Sequence, residues 1–162
     1  VSSIVMLFVG DGWGKSAAAL GYATRSAGRG WSTLVVQFLK GSAWNTADST
    51  AGRRLGIEWP SFTRSLTWAQ GDPVRLAGEA WTVASDAMVS AQYGLIVLDE
   101  ITHAVASGWL DERAVVSGIA ARAPETSVIM TGRGATRRVR SVADTITRFD
   151  RVKHAGKKGI LG

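Results

Sequence analysis

Lys15 and Ser16 close the stretch Gly10-Asp11-Gly12-Trp13-Gly14-Lys15-Ser16, in which glycine recurs at every second position directly after an apolar run. Such glycines let a backbone turn tightly and aim successive N–H groups at one point, which is what an anion needs. A lysine at the end of the turn adds a compact positive charge, and the serine hydroxyl beside it suits a magnesium ion. A helix that follows contributes its free N-terminal N–H groups and the positive end of its dipole. These residue types predict a phosphate site spread over Gly10, Asp11, Gly12, Trp13, Gly14, Lys15, Ser16 and Ala17. The spacing departs from Gly-x-x-x-x-Gly-Lys-[Ser/Thr], because Val9 stands where the opening glycine belongs and Gly10 comes one residue late. A bare strand-to-helix turn, the plain alternative, has no need of Lys and Ser at these positions.

Two further clusters carry chemistry. Asp99 and Glu100 end the apolar run Leu95 to Leu98. Opposite a phosphate turn such carboxylates can hold magnesium directly or through water; alone, each reads equally as a helix cap or a partner for an arginine. Arg133, in Thr131-Gly132-Arg133-Gly134, has a donor fork that suits phosphate or sugar oxygens, or else pairs with a surface carboxylate from a turn. His103 and His154 are isolated and the chain has no cysteine, so thiolate chemistry is excluded and a zinc site is not expected. No Gly-x-Ser-x-Gly elbow or comparable nucleophile motif is present. Trp81 reads as core, whereas Trp13, Trp44 and Trp68 fall in loops and can line a pocket.

The elements that must position these groups alternate along the chain. Ile4 to Val9, Ser32 to Leu39, Leu95 to Leu98, Ser127 to Met130 and Thr145 to Phe149 read as strands. Lys15 to Ala27, a stretch begun by Asp72-Pro73 and running to Gln92, and Asp111 to Arg122 read as helices. Leu76, Ala80, Trp81, Ala84, Ala87 and Met88 fall on one face of the second of these. Gly41 to Gly56 is polar and glycine-punctuated, which predicts an ordered loop or lid. Apolar strands separated by helices predict an α/β fold of the P-loop NTPase type: an open, mainly parallel sheet with helices on both faces. All three clusters then lie at carboxyl ends of strands, where such sheets bind ligands.

A length of 162 residues predicts one domain, residues 1–162. No apolar run approaches the roughly 18 residues a membrane span needs, and no signal peptide is evident, so a cytoplasmic protein is expected. The net charge of +6 raises nucleic acid as a partner. Its basic residues cluster at 137–140 and 148–158 without an interleaved aromatic platform, so a basic surface or a small polyanion is the expected meaning.

Taken in order, GDGWGKS, VVQFLKG, LTW, LIVLDEITHAVASGWLD, TGRGA, ADTITRF and VKHAGKKGI resemble the P-loop family of ATP:corrinoid adenosyltransferases over nearly the whole chain. In that family the short Gly-[Asn/Asp]-Gly-x-Gly-Lys-[Thr/Ser] loop is the usual form. The resemblance implies that a cobalt(I) corrinoid attacks the 5′ carbon of ATP and expels intact triphosphate, with the terminal phosphate deep in the loop. It implies ATP and a corrinoid as substrates, magnesium, a reductase that supplies the electron, and a homodimer. It also implies that Ser16 and Glu100 hold magnesium with Asp99 beside them, and that Lys15, Arg25 and Arg133 place the nucleotide. Leu66 and Trp68, in the segment that is Phe-Thr-Trp in the family, would face the corrinoid; the other reading of both is core. Leu66 replaces the usual Phe, Ala69 the Glu that commonly follows, and Trp13 a common Lys. The alternative function is a P-loop ATPase or regulatory nucleotide-binding module without corrinoid activity.

Overall fold

The structure is a computed structural model that describes residues 2–38, 46–62, 72–156 and 158–161. Its strands are β1 (Val5–Val9), β2 (Thr33–Gln37), β3 (Leu95–Asp99), β4 (Ser127–Thr131) and β5 (Thr145–Arg148). Its α-helices are α1 (Lys15–Gly28), α2 (Ala47–Arg54), α3 (Pro73–Val89), α4 (Ile101–Ala106), α5 (Glu112–Ala120) and α6 (Arg137–Ser141). The strands form one sheet in the order β2-β3-β4-β1-β5, and every pairing in it is parallel.

Both faces of β1, β2, β3 and β4 are covered, which is why these strands are mainly apolar runs; the edge strand β5, Thr-Ile-Thr-Arg, alternates and is exposed. Met6, Phe8, Val35, Val97 and Ile129 pack on the α1 side, against Ala19 and Ala23. Val5, Leu7, Val36, Ile96, Leu98, Val128 and Met130 point the other way, onto Ala80, Ala84 and Met88 of α3 and Val115 and Ile119 of α5. Alanines at the contact positions let α1 and α3 lie close to the sheet without large side chains to interleave.

The expected helix starts are found. The Asp72 carboxylate accepts from the N–H groups of Val74 and Arg75, at 3.1 Å each, with Pro73 in the first turn of α3. Ala80, Ala84, Ala87 and Met88 are buried as the periodicity predicts, joined by Ala77, while Leu76 and Trp81 are half-buried. α3 stops at Val89, short of Gln92, where Ser90 turns its hydroxyl back to the Ala87 carbonyl at 2.9 Å.

Three helices were not expected. α2 occupies part of the stretch read as a loop or lid: the Thr46 side chain caps it by accepting from Ser49 N–H at 3.1 Å, and Ile57 and Trp59 pack beneath its Gly52. Residues 41–45 of that stretch lie outside the described residues. α4 and α6 each span fewer than two turns, too short for a hydrophobic period to register.

Candidate functional site

In this strand order β4 lies between β1 and β3, so the residues that follow Val9, Thr131 and Asp99 emerge side by side, roughly 4.8 Å apart per strand. The three clusters read from sequence therefore meet along one edge of the sheet. The phosphate turn is anchored on both flanks. Gly10 N–H donates to the Arg133 carbonyl and Gly12 N–H to the Phe149 carbonyl, each at 2.8 Å. A Cβ on Gly10 would lie 2.2 Å from the Phe149 oxygen, and one on Gly12 2.7 Å from the same atom, so backbone packing excludes any side chain at either position.

Gly14, with φ of 105°, ends the turn and caps α1 without a side-chain bond. The first backbone bond into the helix runs from Ala18 N–H to the Gly14 carbonyl, so the N–H groups of Lys15, Ser16 and Ala17 have no backbone acceptor among the described residues. Together with the helix dipole they form a site for an anion. Lys15 Nζ folds over the turn and donates to the Gly12 carbonyl at 2.7 Å.

Strand parity decides which side chains look toward this helix. Val35, Val97 and Ile129 face α1, so Gln37, Asp99 and Thr131, two residues on along each strand, face it as well. Asp99 is 5 % exposed and collects their donors: Ser16 Oγ at 2.8 Å and Thr131 Oγ1 at 2.7 Å on Oδ1, and Gln37 Nε2 at 3.4 Å on Oδ2. Trp59 Nε1 donates in turn to Gln37 Oε1 at 3.2 Å. The hydroxyl of Ser16 thus bonds to Asp99, and Glu100 follows directly after the strand end.

Glu100 adopts φ of 60°, the left-handed region, and its N–H donates to Thr131 Oγ1 at 2.8 Å. A non-glycine residue held there at a strand end is a mark of functional constraint. Its side chain makes no cap bond to α4. Burial pushes its carboxyl above the usual range, the neighbouring Asp99 charge adds to this, and Lys15, His103 and Arg133 oppose it. The Glu100 carboxyl therefore lies within electrostatic reach of Asp99, Lys15, His103 and Arg133. The Thr102 hydroxyl behind them is buried and has no partner among the described residues. It sits 1.6 Å from where a Cβ on Gly132 would be, which fixes a glycine before Arg133.

Other predicted residues lie further out. Arg133 is exposed at the turn after β4. Arg25 is in the last turn of α1, about 15 Å up the axis from Lys15 at 1.5 Å per residue, with its guanidinium 5.2 Å from the Tyr22 ring centre. Trp13 is 43 % exposed, and its ring centre lies 5.6 Å from that of His154. Leu66 and Trp68, assigned to the corrinoid, and Trp44 fall outside the described residues. Among the described residues no group of three or more His, Cys, Asp or Glu is disposed to hold a metal ion by itself. No described helix is long and apolar enough to cross a membrane.

Sequence reasoning gave no role to Gln37, Trp59, Thr102, Phe149 and Arg151. For Gln37 the signal was available: a polar residue ending an apolar strand, in phase with Val35. For Phe149 it was not, because its main-chain atoms make the contact.

The sequence profile of the family described as ATP:corrinoid adenosyltransferase BtuR/CobO/CobP matches residues 2–162. A corrinoid adenosyltransferase of Pseudomonas aeruginosa is 36% identical over 162 residues, covering 97% of this chain and 79% of that protein. The corrinoid adenosyltransferase of Escherichia coli K12 is 33% identical over 160 residues, covering 97% and 81%. Corrinoid adenosyltransferase CobA of Salmonella typhimurium is 34% identical over 160 residues with the same coverage. Among solved structures, domain III of the Thermotoga maritima replication initiation protein DnaA aligns with a TM-score of 0.48 at 10% identity, over 91% of this chain and 55% of that one.

Proposed function

The chain belongs to the ATP:corrinoid adenosyltransferase family, and we propose that it transfers the 5′-deoxyadenosyl group of ATP to a cobalt(I) corrinoid through the site just described. The observation that carries this reading is the convergence of the α1 N-terminus, Lys15 and the Ser16–Asp99–Thr131 cluster at adjoining strand ends. Cobalt(I) donates its electron pair to C5′, the cobalt–carbon bond forms, and the C5′–O bond breaks with its pair leaving on triphosphate. The nucleophile belongs to the substrate, so the protein has to align two substrates and stabilise a departing polyanion. The N–H groups at the start of α1 and the Lys15 ammonium take the phosphate oxygens. Arg133 reaches the nucleotide from the turn after β4, and Arg25 assists in placing it.

The donor set fits magnesium: a hydroxyl and two carboxylates are hard oxygen ligands, and the raised carboxyl of Glu100 is a group that a cation would relieve. Ser16 and Glu100 would hold it, with Asp99 fixing the Ser16 hydroxyl. Bound there, magnesium supplies positive charge against the triphosphate. Leu66 and Trp68 face the corrinoid in this reading. The enzyme works as a cytoplasmic homodimer, served by a separate reductase that delivers cobalt(I).

Phosphorus NMR of the complete reaction tests the chemistry. Intact triphosphate, formed only when reduced corrinoid is present, is the expected product. ADP and phosphate released at one rate with or without corrinoid would overturn the assignment.

A further inference from the structure

The basic tail after β5 is built into the wall of the phosphate turn. Phe149 N–H donates to the Val9 carbonyl and its own carbonyl accepts from Gly12 N–H, both at 2.8 Å. These bonds set the register of the tail, so that Arg151, two residues on, meets Asp11. The backbone N–H of Arg151 lies 3.3 Å from Asp11 Oδ1 and its guanidinium 3.4 Å from Oδ2. Asp150, between them in sequence, is taken by Arg148 at 2.8 Å and does not compete.

Asp11 is the one acid between Gly10 and Ser16. A carboxylate inside a turn that receives a polyanion opposes binding, and opposes it more as negative charge grows on the leaving group. We propose that Arg151 is a positioning residue of the phosphate turn, acting through Asp11: it neutralises that carboxylate and holds it against the tail, away from the phosphates. The proposal rests on the assignment of the turn to triphosphate. An exposed ion pair of this kind contributes little to folding stability. Its effect is on the ligand, because the charge it cancels acts on several phosphate oxygens together. The Arg151 N–H holds Asp11 below the usual carboxylate range, so the charge to be cancelled is present at neutral pH.

The test is a double-mutant cycle read as affinity for inorganic triphosphate with magnesium, by calorimetry, at low and physiological ionic strength. Arg151→Ala should weaken binding roughly three- to tenfold, more at low salt, with Arg151→Lys recovering most of the loss. Asp11→Asn should tighten binding, and on that background Arg151→Ala should cost less than about twofold. A melting temperature close to that of the native protein confirms that each variant is folded. Unchanged affinity in Arg151→Ala overturns the proposal, and so does an equal loss with and without Asp11, which would make Arg151 a direct phosphate ligand or a tail anchor. Failure of the native protein to bind triphosphate removes the assignment of the turn itself, a result distinct from either.

Discussion

Lys15 Nζ, lying 2.7 Å from the Gly12 carbonyl, is drawn over the turn. In the proposed reaction its removal deletes a charge aimed at the leaving group without touching the core, so Lys15→Ala should lower kcat/KM on the order of a hundredfold while the melting curve stays in place. Near-normal turnover of the folded variant would remove Lys15 from the mechanism. Glu100 behaves differently, because burial and then the Asp99 charge penalise its carboxylate form. A carboxyl raised on folding contributes stability that is complete below its ordinary value, about 4.3, and is lost as pH rises through the raised one. Glu100→Gln should therefore melt above the native protein near neutral pH without ligand, the two converging at about pH 4 and below. It should also need more magnesium for activity, so an unchanged magnesium titration counts against Glu100 as a ligand. The sequence could mark Asp99 and Glu100 as a pair without saying which faces α1. Only parity within a paired strand decides that, and it sends Ser16 to Asp99.

At the scale of elements, apolar runs of the right length revealed β1 to β4, and the Asp72-Pro73 cap revealed α3. What stayed hidden was held by tertiary contact. α2 has a polar sequence, ADSTAGRR, whose burial comes from Trp59 beneath Gly52 and not from an apolar stripe. α4 follows Glu100 without any break in sequence, and its start depends on a left-handed residue that composition does not announce. The contact between α4 and the turn after β4 is close enough to be tested alone. Gly132→Ala would press a methyl group onto Thr102 Oγ1 and Cβ, a contact expected to cost about 1–3 kcal/mol of stability and to displace Arg133. Thr102→Ala in the same chain should recover part of that loss, since the nearest atom is then gone. Full stability of Gly132→Ala in a denaturant titration would mean that α4 and this turn are less tightly coupled than the geometry indicates.

Across the whole molecule, the proposed function gives the ATP side of the reaction to residues of the phosphate turn and the neighbouring strand ends, and the corrinoid side to Leu66 and Trp68. The phosphate turn opens α1 on one face of the sheet, while α3 packs on the other through Ala80, Ala84 and Met88. Assigned to different segments of the chain, the two substrates should bind separably. If Trp68 lies against the corrin ring, Trp68→Ala should weaken corrinoid binding roughly ten- to thirtyfold, as loss of a large aromatic contact does, with ATP affinity held within about twofold. If, as the resemblance implies, this segment also helps to remove the lower axial ligand of cobalt(II), the conversion of bound cobalt(II) from five- to four-coordinate should fall with it, whereas Leu66→Phe should preserve or increase that conversion. The competing role for Trp68 is core packing. In that case Trp68→Ala would lower stability by about 3–5 kcal/mol and weaken both substrates together, because the sheet that aligns Asp99 and Thr131 would loosen with the core. Corrinoid titration followed by visible spectroscopy, run beside ATP calorimetry and a denaturation curve on the same preparation, separates the two. Parallel loss of both affinities would assign Trp68 to the core and leave the corrinoid to be recognised by other residues.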